Sequence, residues 1–159
     1  MSKFEIYLSN MLSISIGFAF NVLVCIVALV LSGIPVGWNL AWAPLVFVEH
    51  FFISFGIGLI ISNLVIYFKD LKQIWPLVTT MLFWISPIFF RYDSVRLALP
   101  FLDYVNPIAG TITNFRHVLF YNQSPEYWLL GVNAIHAVVL MAVGLLLLNR
   151  LGKRASEIL

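Results

Sequence analysis

Few residues in this sequence are equipped for chemistry, and they are scattered. Glu49 and His50 stand side by side in an apolar stretch, His136 stands in another, and Cys25 is the sole cysteine. A catalytic nucleophile needs a base within reach and a third group to orient that base, and these residues assemble no such set. A zinc-protease helix carries two His four positions apart around a Glu, whereas here Glu49-His50 stands alone. A lone Cys inside an apolar run offers neither a disulfide nor a metal cluster, and reads as a packing residue. No glycine-rich phosphate loop closing on Gly-Lys-Ser/Thr is present, so this chain has no means of its own to hydrolyse ATP. No catalytic residue, metal ligand or cofactor is therefore assigned to it.

What surrounds these residues explains their isolation. The 159 residues are 62% apolar and 10% charged, with 9 Lys+Arg against 7 Asp+Glu. Soluble domains carry about 25% charged residues, so this chain cannot clothe a water-soluble globule of its size. A soluble enzyme and a disordered tail are excluded. A net charge of +2 gives no broad basic face, which excludes a nucleic-acid binder.

The spacing of the charges defines the elements. No Asp, Glu, Lys or Arg lies between Glu5 and Glu49. Nineteen residues separate Glu49 from Lys69, 18 separate Lys72 from Arg91, and 23 separate Glu126 from Arg150. A membrane-crossing helix takes ~20 apolar residues at about 1.5 Å each. The first gap is too long for one helix and splits at the turn-rich Ser32-Gly33-Ile34-Pro35-Val36-Gly37. The reading is an all-α polytopic membrane bundle in a single domain over 1–159, with spans at about 11–31, 42–67, 74–90 and 127–148. Continuous apolar runs argue against a barrel. Pro76 falls near the start of the third span, where a missing backbone donor does no harm. The first run is far longer than the core of a cleavable signal.

Lys and Arg set the orientation. With the N-terminus inside, the inner segments hold Lys3, Lys69, Lys72, Arg150, Lys153 and Arg154, and the outer ones hold Arg91, Arg96 and Arg116. Both termini are therefore expected in the cytoplasm. Trp38, Trp42, Trp75, Tyr127 and Trp128 fall near span ends, where aromatic rings anchor at the interface.

Glu49 and His50 then lie about two turns into the second span. Ionisable groups there cost roughly 2.5–3.5 kcal/mol and face the bundle interior or water. His50 can pair with a neighbouring helix; Glu49 either faces a cavity or gives up its charge; a partly wetted site near the interface is the plainer alternative. His136 reads as a packing or hydrogen-bonding residue. Asn21, Asn63 and Asn133 are candidates for interhelical hydrogen bonds, and Gly56 and Gly58 for close helix approach. Residues 91–126 form a long connection with apolar patches. Asn106-Pro107 signals a helix start, giving a short helix over about 107–121 that is interfacial or re-entrant.

Several stretches carry a family resemblance. They are Gly56-Ile-Gly-Leu-Ile-Ile-Ser-Asn-Leu-Val-Ile-Tyr-Phe-Lys-Asp-Leu-Lys-Gln-Ile74, Phe83-Trp-Ile-Ser-Pro-Ile-Phe-Phe90, Asn106-Pro-Ile and Asn114-Phe-Arg116. Over about residues 8–150 the chain resembles the permease subunit of type-2 ABC exporters, in the branch that exports O-antigen, capsule and teichoic acid. Lys69 stands where that pattern usually has Arg; the charge is kept and the bidentate fork is lost.

The resemblance implies a bacterial inner-membrane permease that pairs with a second copy and with a separate ATPase subunit. ATP and Mg would be bound by that partner, and a lipid-linked glycan would move outward. It implies short re-entrant helices in 91–126. It points to Phe83, Trp84, Phe89, Phe90 and Glu49 as a substrate path, since aromatic faces suit sugars. Pro87, Asn106, Pro107 and Arg116 fall at an outer gate, where Arg116 would meet an acidic group or a lipid phosphate. Tyr67, Lys69, Asp70 and Lys72 form a cytoplasmic turn. The four spans resemble spans three to six of such a permease, with two spans and a coupling helix expected before them. The alternatives are a split or non-functional fragment and a non-transporting membrane scaffold.

Overall fold

The structure, a computed structural model, describes residues 3–34, 37–86 and 101–155. Everything regular among them is helical. Helix α1 spans Lys3–Leu31, a 3-10 turn over Trp38–Trp42 leads into α2 at Ala43–Tyr67, and α3 covers Leu71–Ile85. The short α4, Leu102–Val105, precedes α5 at Pro107–Leu119 and α6 at Tyr127–Ala155.

The helix ends follow from local chemistry. Gly33 closes α1 at φ +74°, with Gly33 N–H donating to Val30 O and Ile34 N–H to Leu29 O. This is the left-handed glycine stop that satisfies the last carbonyls of a helix. At the start of α5, the Asn106 side chain accepts from Ile108 N (3.0 Å) and Ala109 N (3.3 Å), with Pro107 at the first helical position. Proline suits that place because the N–H it lacks would be orphaned there anyway. Helix α3 stops at Ser86, which is extended (ψ 145°), the conformation favoured for a residue preceding proline.

Among the described residues, three helices are long and apolar enough to cross a membrane: Phe4–Leu31, Trp38–Tyr67 and Tyr127–Arg150. The third expected span, 74–90, corresponds to α3 with 15 residues, about 22 Å at 1.5 Å per residue. That falls short of a ~30 Å hydrocarbon core; residues 87–90 lie outside the described residues. Because α3 begins at Leu71, Pro76 sits inside the helix and not in its first turn. It has no N–H to give the Lys72 carbonyl. The hydroxyls of Thr79 and Thr80 donate to the Pro76 carbonyl at 2.9 and 2.8 Å.

The core is the α2–α6 contact, and the two helices run parallel. From the start of the pair to its far end, Trp42 meets Tyr127 edge-on (ring centroids 5.7 Å), Glu49 faces Asn133, Gly56 meets Leu140, and Leu59 meets Gly144. Gly56 makes the approach possible: a Cβ there would lie 2.8 Å from the Leu140 backbone. Gly58 by contrast faces open space.

Helix α1 is antiparallel to α2, with Phe4 near Phe55 and Phe18 near Phe47 and His50. It touches α2 lightly, and Leu29 is its one buried side chain among the described residues. Helix α5 is short yet deeply seated, with eight buried residues that include Gly110, Thr111, Thr113, Asn114 and His117.

Candidate functional site

Polar groups gather where α5 packs into the α2–α6 pair. Asn133 is fully buried and Glu49 is 8% exposed. Glu49 is turned toward the Asn133 side chain, yet its Oε2 and both side-chain polar atoms of Asn133 lack a hydrogen bond of normal geometry. Gly110 of α5 closes over Asn133: a Cβ at Gly110 would sit 2.5 Å from Asn133 Oδ1 and 2.8 Å from the Asp103 carbonyl. One residue along, Thr111 Oγ1 lies 3.2 Å from His50 Nδ1. The Thr111 hydroxyl donates to Ile108 O at 3.0 Å, so its single proton is committed. The His50 tautomer protonated on Nδ1 is the one that completes this pair by donating to Thr111. Its Nε2 faces Ser54 Oγ at 3.5 Å. Phe18 and Phe115 flank the imidazole, 5.2 and 6.5 Å from it between ring centroids.

Further out, Asn114 Oδ1 accepts from Glu126 N at 3.0 Å and fixes the entry of α6. Asn39 Nδ2 donates to Asn122 O at 2.6 Å, where Asn122 takes a left-handed backbone (φ 50°) that asparagine tolerates. Gly37 leaves room for the Asn122 side chain, which a Cβ would strike. Thus α5 climbs from the level of Glu49 and His50 to the start of α2 and α6, antiparallel to both.

The residues singled out from the sequence fall into separate places. Glu49 lies in the polar seam beside Asn133. Phe83 and Trp84 lie on α3, edge-to-face at 6.0 Å, and both are exposed. Phe83 also lines a cavity of about 210 Å³ with Ile57, Trp75, Thr79, Ser86 and Ile108. Asn106 and Pro107 start α5, with Asn106 buried. Arg116 is in the last turn of α5, beside a groove lined by Phe18, Asn21, Cys25 and Ile112. Tyr67 ends α2, Lys69 and Asp70 form the turn into α3, and Lys72 lies in the first turn of α3, with Lys72 N–H donating to Lys69 O and Gln73 N–H to Asp70 O. Pro87, Phe89 and Phe90 lie outside the described residues.

Two of the three expected interhelical asparagines bond within their own helix: Asn21 to Gly17 O and Asn63 to Leu59 O. Asn133 faces another helix, and Asn114, unmarked in the sequence reading as a tie, joins α5 to α6. Hydropathy ranks all these residues alike, so nothing in the sequence separates an amide that folds back from one that reaches across. Among the described residues, no group of His, Cys, Asp or Glu is arranged to hold a metal ion.

Apolar helices packed around a buried polar seam define a polytopic membrane protein. The chain belongs to the ABC-2 type transporter family, whose model matches residues 1–120. Among its relatives are two O-antigen export system permease proteins, both called RfbA, from Klebsiella pneumoniae, 28% and 29% identical over 153 residues. Each alignment covers 96% of this chain and 59% of the relative, so the chain spans about three-fifths of their length. No solved structure matches the chain.

Proposed function

We propose that the chain is membrane permease machinery of an ATP-driven exporter of lipid-linked polysaccharide, acting beside a second permease copy and powered by a separate ATPase subunit that binds ATP and Mg. Family membership over residues 1–120 carries this reading. The names of the Klebsiella relatives support the O-antigen class of cargo. The site would be in the bacterial inner membrane, with both termini cytoplasmic.

The parallel α2–α6 pair supports a fourth crossing. Two helices that traverse the bilayer in the same direction require the chain to return between Tyr67 and Tyr127. We assign the return to α3 and α5 in sequence: about 22 Å and 20 Å of helix at 1.5 Å per residue. A crossing made of two half-helices is tolerated where its broken backbone is buried in protein, and Ser86 and Asn106, which flank the break, are both buried.

Cargo would pass along α3, whose Phe83 and Trp84 rings remain exposed, and the Glu49–Asn133 seam would hold the wall behind. The test is to purify the tagged chain from cells that carry its neighbouring export genes and to score surface glycan after its deletion. Recovery of an ATPase subunit together with loss of surface glycan is the expected result. A stable, membrane-inserted chain that recruits no ATPase, and whose deletion leaves the glycan unchanged, would favour a non-transporting scaffold.

A further inference from the structure

Helix α3 has an unusual attachment. No residue of Leu71–Ile85 is buried, yet Ser86 at its end is 1% exposed. There the Asn106 side chain donates from Nδ2 to Ser86 Oγ at 3.4 Å. Asn106 is doubly engaged, since its Oδ1 caps α5 while its Nδ2 reaches Ser86. Both residues precede a proline, Ser86-Pro87-Ile88 and Asn106-Pro107-Ile108, and both are extended, Ser86 at ψ 145° and Asn106 at ψ 104°. Two proline-stiffened junctions therefore meet tip to tip.

At 3.4 Å the bond is longer than the usual range of about 2.7–3.2 Å for N–H to oxygen. Behind it lies the cavity of about 210 Å³ between α3, α2 and α5, lined by Ile57, Leu82, Phe83 and Ile108. At the other end of α3, the backbone reverses within the Phe68–Leu71 turn, with Leu71 N–H on Phe68 O. Helix α3, half-buried only along Leu71, Trp75, Val78 and Leu82, leaves a tight turn and meets Asn106 at its tip through a weak bond beside free volume, and so has the parts of a swinging arm.

We propose that Ser86 and Asn106 form a releasable clasp, and that they are positioning residues for cargo passage: its opening lets α3 pivot on the Phe68–Leu71 turn and widens the cavity behind Phe83. This rests on the permease reading for its purpose, but the motion itself can be measured without it. Since one net hydrogen bond is at stake, Ser86→Ala multiplies the open population about three- to tenfold. Ser86→Ala leaves the Asn106 cap of α5 intact, so it separates the clasp from the fold.

The experiment uses the full chain in lipid nanodiscs, on a Cys25→Ser background. Spin labels carried on p-acetylphenylalanine at Leu77 of α3 and Val139 of α6, which thiol reagents and reductants leave untouched, report their separation by pulsed EPR. The expected result is a minor, longer distance that grows with Ser86→Ala. A second variant, Ser86→Cys with Ile108→Cys, which both line the cavity and spare the Asn106 cap, is bridged by a short bis-methanethiosulfonate reagent, for which the longer distance vanishes and returns on reduction. An identical distance distribution in all of these samples overturns the clasp. In cells, export that stops on bridging and resumes on reduction assigns the positioning role; export indifferent to the bridge overturns it. If the distances respond while the unmodified protein exports nothing, the clasp stands and the permease reading falls.

Discussion

The α2–α6 pair and α3 are built from similarly apolar sequence and are held in opposite ways. Along α2, Val46, Glu49, Ile53, Phe55, Gly56, Leu59 and Asn63 are buried, mostly against a parallel partner. Along α3 nothing is buried, and Ile74, Leu77, Met81 and Trp84 are all exposed. Hydropathy alone would rate both as membrane helices. The difference lies in small residues: Gly56 and Gly144 let α2 and α6 touch at the backbone. In lipid this is what separates a packed helix from a solvated one, because burying another Leu gains little there. One region is a wall and the other is an arm.

Substitutions can break or sharpen that contrast. The largest effect is expected from Gly56→Leu, which drives a side chain into the Leu140 backbone. Overpacking of this kind costs about 1–3 kcal/mol or more, read as a lowered Tm in detergent. Next is Asn106→Ala, which removes the double cap of α5 at a cost of about 0.5–2 kcal/mol. Trypsin cleavage near Arg116 should then accelerate. Smaller is the Glu49–Asn133 contact: a double-mutant cycle with Glu49→Gln and Asn133→Leu should show coupling of about 0.6 kcal/mol, as interhelical polar pairs in membranes do. The smallest effects belong to the arm. Leu77→Ala and Met81→Ala, both exposed, should shift stability by less than about 0.5 kcal/mol. If Met81→Ala unfolds the protein as readily as Gly56→Leu does, the contrast between wall and arm is wrong.

The sequence made the long helices legible because charges are expensive in lipid and therefore mark where helices leave it. Glu5, Lys69 and Arg150 bracket most of what became α1, α2 and α6. Asn106-Pro107 was equally readable, since capping is decided within four residues. Partnership was not. Gly56 and Gly58 look alike in a string, but they lie on different sides of the helix, and Leu140 approaches one of them alone. The same holds for Asn63, which folds back on its own helix, and Asn133, which does not. The meeting of Glu49 with Asn133 joins residues far apart in the chain, and that pairing carries no local signal. The aromatic residues Phe83 and Trp84 of α3 were readable as a pair.

The shared direction of α2 and α6 has an electrostatic consequence. Each helix acts as if it held roughly half a positive charge at its start and half a negative one at its end. Side by side and aligned, two such dipoles repel, and a bilayer offers little screening. Helix α5 runs the other way against both of them, and its cationic Arg116 and imidazole of His117 fall in its own last turn, where a helix is negative. Its orientation offsets part of the repulsion between its neighbours. The short buried helix is thus a counterweight as well as a filler, and reversing or removing it would leave the wall working against its own field.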